Sequence, residues 1–311
     1  MAEIKEQWIE IVISTPEELI DSLSNFMIEL GTQGVFQEEP DHNSFNDAPT
    51  YKNKEELKAY LSPGAEAERK ISSLMAYMDS LHEIFPDLEK PSFVTHTIID
   101  PDWGEQWKKY FKPLRVSKNI IIKPTWERYQ RGGRDIVIDI DPGMAFGTGQ
   151  HPSTQLCIVA IEELLLKDRS FETWDVLDVG TGTGILAICS AKLGSERVVA
   201  IDIDEKAIEI AAENVAINEV EDRIEILSSD IAGYKGKFNL IVANLTANTL
   251  IKMRSHILKM VVPGGYVVAS GIIDQNTEAI EEHFATKEVA IHDIKSEKEW
   301  FCYTFKKQDK K

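Results

Sequence analysis

The 311-residue chain has no run of about 18 apolar residues, the length a membrane-spanning helix needs, which excludes a helical integral membrane protein. Its first residues, Met1-Ala2-Glu3-Ile4-Lys5-Glu6, carry neither the basic start nor the apolar stretch of a secretory signal, so a cytoplasmic location is expected. Cysteine is scarce. Cys157, Cys189 and Cys302 are odd in number, far apart and set among apolar neighbours, which predicts buried, reduced thiols rather than a disulfide framework. There is no CxxC or HExxH pair to hold a metal, and none is expected.

Basic residues are also in short supply: 34 Lys and Arg stand against 52 Asp and Glu, for a net charge of −18. The deficit is concentrated early, because residues 1–115 hold 11 bases and 22 acids. Such a surface repels phosphate backbones, so direct nucleic-acid binding is not expected. It attracts basic partners over about a Debye length, although acidity also serves plain solubility.

Length favours two domains. Residues 1–98 read as a small acidic α+β domain of ferredoxin-like type. Trp8–Ile13 is a strand, Ser14 or Thr15 caps a helix with Pro16 at its first position, and Leu19, Ile20, Leu23, Phe26, Met27 and Leu30 recur at helical spacing up to Gly31. Gly34–Phe36 opens a second strand, Tyr51 starts another that leads into a helix near Lys54–Leu61, a long helix runs from Ala65 to Phe85, and Ser92–Ile99 is a strand. Residues 99–119 form an aromatic-rich connector, in which Trp103 and Trp107 share a face if helical.

From about Ile120 to residue 311 the pattern becomes alternating βαβ. Apolar strands at 175–179, 197–201, 224–227, 238–243 and 265–270, joined by crossovers, imply a parallel sheet covered on both faces. The last two, 289–294 and 300–305, are joined by a short polar turn that only antiparallel neighbours permit. The expected fold is α/β: a Rossmann-like domain with a mostly parallel seven-stranded sheet and a terminal antiparallel hairpin, a finish more typical of methyltransferases than of dehydrogenases.

The chemistry concentrates at strand ends. Asp178-Val179-Gly180-Thr181-Gly182-Thr183-Gly184 follows a strand and precedes a helix, and its alternating glycines let backbone approach a nucleotide-type ligand. GxGxG alone is weakly specific, and it lacks the GxGxxG spacing that seats a pyrophosphate. Asp202 ends the next strand, where a carboxylate can accept both ribose hydroxyls of an adenosine, while Asp204 is the better helix cap. Asn244-Leu245-Thr246-Ala247 ends the fourth strand where amine and amide methyltransferases place Asn-Pro-Pro-aromatic; losing the ring removes the stacking platform for a flat base and leaves an aliphatic amine as a reasonable target. Upstream, Asp141–Thr154 contains Gly147-Thr148-Gly149-Gln150-His151-Pro152; Phe146 is a candidate apolar lid, and Thr154 offers a hydroxyl or N–H to a cofactor. His151 reads as a loop residue rather than a base.

At these residues the chain resembles the PrmA family, methyltransferases of large-subunit ribosomal protein eleven. The resemblance covers most of the chain and rests on the Gly147–Pro152 stretch together with 178–184, Asp202 and 244–247; Gln150, Ser153 and Thr246 depart from the common pattern and bear on substrate fit. It implies S-adenosylmethionine as cofactor, with contacts at Thr154, Gly180, Asp202 and Asn244; the loop readings add Gly182 and Phe146 as expected contacts, and Asn244 and Leu245 are the expected catalytic acceptors. It implies methylation of Lys side chains and the terminal α-amine of a basic ribosomal protein; the acidic first domain is expected to recognise that protein, and a monomeric enzyme is expected. Competing readings are a methyltransferase of another protein or of RNA, a nicotinamide oxidoreductase, and a binding module with a relic pocket.

Overall fold

Ile9, Ile11 and Ile13 alternate with Trp8, Glu10 and Val12, and this period of two sets the first strand of a computed structural model that describes residues 7–38, 55–62, 64–99, 108, 111–141 and 147–309. Two units emerge, one ending at Phe111 and one formed by Lys112–Asp141 with the chain from Gly147 onward.

The first unit runs β1 (Gln7–Thr15), α1 (Ile20–Glu29), β2 (Gln33–Glu38), β3 (Glu55–Leu61), α2 (Ala65–Ile84) and β4 (Ser92–Ile99). Its sheet order β2-β3-β1-β4, antiparallel throughout, is the ferredoxin-like arrangement. Ile11, Ile13, Leu57, Ala59 and Leu61 pack on Leu19, Leu23, Met27, Leu74, Met78 and Leu81 from the helical layer. The expected helix near Lys54–Leu61 is corrected: Glu55–Leu61 is a central strand. Its residues are good helix formers, but Leu57, Ala59 and Leu61 recur every second position, and pairing on both sides overrides propensity. The expected strand start at Tyr51, Trp103 and Trp107 lie outside the described residues.

The second unit opens with β5 (Leu114–Arg115), β6 (Ile120–Lys123) and β7 (Ile136–Asp139), a small sheet whose first strand lies in the stretch read as connector. Polar clamps fix it to the larger body. Glu162 Oε1 accepts from Asn119 N at 3.1 Å and Nδ2 at 2.9 Å, and the Asn218 amide pairs with the backbone of Asp139 through both its O and N atoms at 2.9 and 2.7 Å. Helices α3 (Pro152–Lys167), α4 (Ile185–Lys192), α5 (Glu205–Ile217), α6 (Ala247–Met260) and α7 (Thr277–Phe284) then interleave with β8 (Asp175–Val179), β9 (Arg197–Asp202), β10 (Ile224–Ser228), β11 (Phe238–Asn244) and β12 (Val261–Ile273), before the hairpin β13 (Val289–Glu297) and β14 (Trp300–Lys307).

The sheet order is β10-β9-β8-β11-β12-β14-β13, parallel through β12 and antiparallel in the hairpin. Two buried clusters cover its faces. Ile161, Ile188, Val198, Leu240 and Val268 belong to one; Leu177, Ile201, Ile241, Leu250 and Ile280 belong to the other. Each such side chain contributes about 1.5–3 kcal/mol on burial, which is why strands closed on both faces read as unbroken apolar runs. All three cysteines are buried, and burial pushes the Cys157 and Cys189 thiols up, so both are neutral at pH 7. Among the described residues, no helix is long and apolar enough to cross a membrane.

Candidate active site

In a sheet with both faces covered, ligands are left the crevice at the carboxyl ends of the strands, and most of the residues selected from sequence gather there. The loop between β8 and α4 is pinned from below by Asp178, whose Oδ2 accepts from Thr181 Oγ1 at 2.7 Å and Ala187 N at 3.1 Å. Complete burial, with a smaller push from the negative charge of Asp202, raises this carboxyl to about 7 against the pull of those two hydrogen bonds.

Gly180 has φ +71°, and a Cβ there would lie 2.6 Å from Leu245 Cδ2, so only glycine lets Leu245 seat on the loop. Gly182 N donates to Asp202 Oδ2 at 3.0 Å, and Asp204 N donates to Oδ1 at 3.1 Å. These bonds hold the Asp202 carboxylate beside the glycine loop. Asp204 caps α5 by accepting from Lys206 N at 2.9 Å, as expected.

Across the crevice, α3 begins at Pro152. His151 is the cap: its Nδ1 accepts from Ser153 N at 3.2 Å, and its ring meets the edge of Trp300 with centroids 4.7 Å apart. That cap orients the first turn, where the buried Thr154 accepts through Oγ1 from Asn244 Nδ2 at 3.2 Å. Asn244 Oδ1, by contrast, is buried with no hydrogen-bond partner among the described residues. Leaving a buried acceptor unmade costs about 1–3 kcal/mol, so the atom is poised for a donor from outside. The N–H of Leu245 is spent on Ser270 O at 3.0 Å, which fixes the peptide that carries the Leu245 carbonyl.

Contacts therefore run from Asp202 through Gly182, Gly180, Leu245 and Asn244 to Thr154, six of the seven residues selected from sequence. The seventh, Phe146, lies outside the described residues. Ile203, not selected from sequence, is 74 % exposed directly after Asp202. An isoleucine between two acids at a strand end, outside the buried run, is the signal that marks it.

The model of the family described as ribosomal protein L11 methyltransferase (PrmA) matches residues 7–308. A protein of Geotalea daltonii with that description is 35% identical over 306 residues, covering 95% of this chain and 96% of its own; one of Pelobacter propionicus is 35% identical, covering 97% and 98%. The crystal structure described as ribosomal protein L11 methylase from Lactobacillus delbrueckii subsp. bulgaricus superposes with a TM-score of 0.58 at 34% identity, covering 64% of this chain and all of that one.

The residues present fit S-adenosylmethionine. A loop whose glycines Gly180, Gly182 and Gly184 all have positive φ and leave its backbone bare, a carboxylate tied to it, an exposed apolar side chain beside that carboxylate and an unpartnered acceptor suit backbone contact, ribose, adenine and a nitrogen donor in turn. The chain belongs to the PrmA family of ribosomal protein L11 methyltransferases and is an S-adenosylmethionine-dependent methyltransferase.

Proposed function

We propose that the enzyme methylates amino groups of ribosomal protein L11, both Lys side chains and the N-terminal α-amine. The observation that carries this reading is Asn244 Oδ1, a buried acceptor without a donor next to the Leu245 peptide. Asp202 binds the ribose hydroxyls, the bare backbone of Gly180 and Gly182 faces the cofactor, Ile203 packs on the adenine, and Thr154 and Asn244 close around the methionine end.

Bound S-adenosylmethionine supplies a methyl group on a sulfonium, which a neutral amine can displace directly. A lysine of ordinary pKa near 10.4 is almost wholly protonated at pH 7, so the site must favour the free base. Burial lowers that pKa. Asn244 Oδ1 and the Leu245 carbonyl then accept the remaining N–H bonds and aim the lone pair, and this orientation does the work of a dedicated base. The orphaned acceptor supports an amine over a flat base, for which Leu245-Thr246-Ala247 provides no aromatic platform.

The wider assignments are part of the same proposal. Residues 1–98 recognise the substrate, 99–119 connect, and 120–311 carry the chemistry. Acidic residues 1–115 attract a basic ribosomal protein in the cytoplasm. The enzyme acts as a monomer and does not itself bind nucleic acid, in keeping with its −18 charge. Incubation with radiolabelled S-adenosylmethionine and a lysate lacking its own activity, followed by mass spectrometry, tests this. Label on lysines and the α-amine of L11 is expected; label confined to RNA or another protein would replace the reading.

A further inference from the structure

Gly271 lies where β12 changes its pairing. Ser270 still pairs with Asn244 of β11, whereas the register with β14 slips between Ala269 and Ile272. Such an irregularity bends a strand and re-aims its residues. Here φ is +81°, and a Cβ at 271 would lie 2.5 Å from Leu245 O, 2.9 Å from Leu245 C and 3.1 Å from Asn244 Oδ1. One point on Gly271 thus borders both oxygens that the proposed function assigns to the amine.

That border matters more with each methyl added. A primary amine meets two carbonyl-type oxygens at about 2.7–3.2 Å through N–H bonds. A methyl replacing an N–H has no such bond and needs about 3.3–3.6 Å from the same oxygen. A side chain at 271 would have to push the Leu245 carbonyl aside by about 0.8 Å, or stand between it and Asn244 Oδ1, to reach an ordinary carbon–oxygen separation. A side chain standing between them fills part of the space the two oxygens share, and a displaced carbonyl no longer holds its place beside Asn244 Oδ1.

We propose that Gly271 determines how many methyl groups one nitrogen can receive: glycine admits the second and third, and any side chain stops the series early. This rests on Asn244 and Leu245 holding the amine. In every round the nitrogen lone pair forms the N–C bond as the C–S bond breaks, its electron pair staying on sulfur to give S-adenosylhomocysteine. The first and second products lose a proton to water before the next round; the third is a permanent cation.

The test compares full-length wild type, Gly271→Ala and Gly194→Ala on recombinant L11 and on L11 whose amines have been reductively dimethylated. Gly194 also has a positive φ, +103°, but no atom within 4 Å of its Cβ position, so it controls for backbone strain. Mass spectrometry counts methyls per site, and calorimetry with S-adenosylhomocysteine and a melting curve report cofactor binding and folding. Wild type and Gly194→Ala are expected to build multiply methylated sites and to act on the dimethylated protein. Gly271→Ala is expected to accumulate monomethylated sites, its third addition falling at least about tenfold more than its first, with S-adenosylhomocysteine affinity within about twofold. Equal loss in all rounds would overturn the proposal. So would a wild type that stops at one methyl or ignores the dimethylated protein, a result that needs no folded variant. If instead Asn244→Ala leaves the first addition untouched, the underlying amine site is wrong.

Discussion

The two sheets of this protein solve the same burial problem in opposite ways. The four-stranded sheet has one helical layer, and its edge strand β4 stays exposed along Val94, Thr95, His96 and Thr97. The seven-stranded sheet is buried on both faces, so its chemistry is confined to the ends of β8, β9 and β11. A sheet with an open side suits a broad macromolecular contact; a fully covered one suits a small ligand held at strand termini. The proposed division of recognition and chemistry between the two units follows this contrast, and it can be broken experimentally.

The largest effect is expected from deleting residues 1–98. The remaining unit keeps both of its own buried clusters, so cofactor binding measured by calorimetry should persist while methylation of L11 nearly vanishes. Full activity on L11 would place recognition in the second unit. Raising the salt concentration should weaken the intact enzyme's hold on its substrate, since 22 acids against 11 bases in residues 1–115 act by long-range attraction.

A change confined to the second unit is Asp178→Asn. The folded-state carboxyl titrates near 7 against an ordinary value near 3.9, so the folded protein holds this proton over a window where the unfolded chain has lost it. Stability from this group therefore falls as pH rises from about 4 to about 7, and ionised Asp178 opposes folding by about 4 kcal/mol above that window. Asparagine should flatten this dependence, making the variant the more stable protein at pH 8 and leaving the two alike near pH 4. Chemical denaturation across pH checks the sign; a wild type that gains stability over that window would refute the assignment.

Asn244→Ala should slow single-turnover methyl transfer on the order of a hundredfold through lost orientation, with a much smaller change in cofactor affinity. Asn244→Asp separates this from a structural role. A carboxylate would hold the lysine as an ammonium and oppose transfer at neutral pH, so near-normal turnover by the Asp variant at pH 7 would end the catalytic assignment. The smallest effect is expected for Asp202→Ala, which loses charge-assisted bonds to the ribose at about 1.5–3 kcal/mol. Calorimetry should show weaker S-adenosylmethionine binding first, and unchanged affinity would remove Asp202 from the site.

By itself the sequence determined the second sheet almost strand by strand, because strands buried on both faces must be continuously apolar and the turns between them carry glycine and polar residues. Asp178–Gly184, Asp202 and Asn244 were legible for a related reason: polar residues that end an apolar run announce a strand terminus, where parallel sheets hold ligands. Only the tertiary structure decided β3, since Glu55–Leu61 has helical propensity and becomes a strand through partners on both sides, β1 and β2, far away or not yet paired in the chain. The same holds for His151 as a helix cap, for the orphaned oxygen of Asn244 and for the closeness of Gly271 to Leu245. Each depends on which atoms from distant segments meet within about 3 Å, and a hydrogen bond or a steric contact of that range leaves no period and no composition to read along the chain.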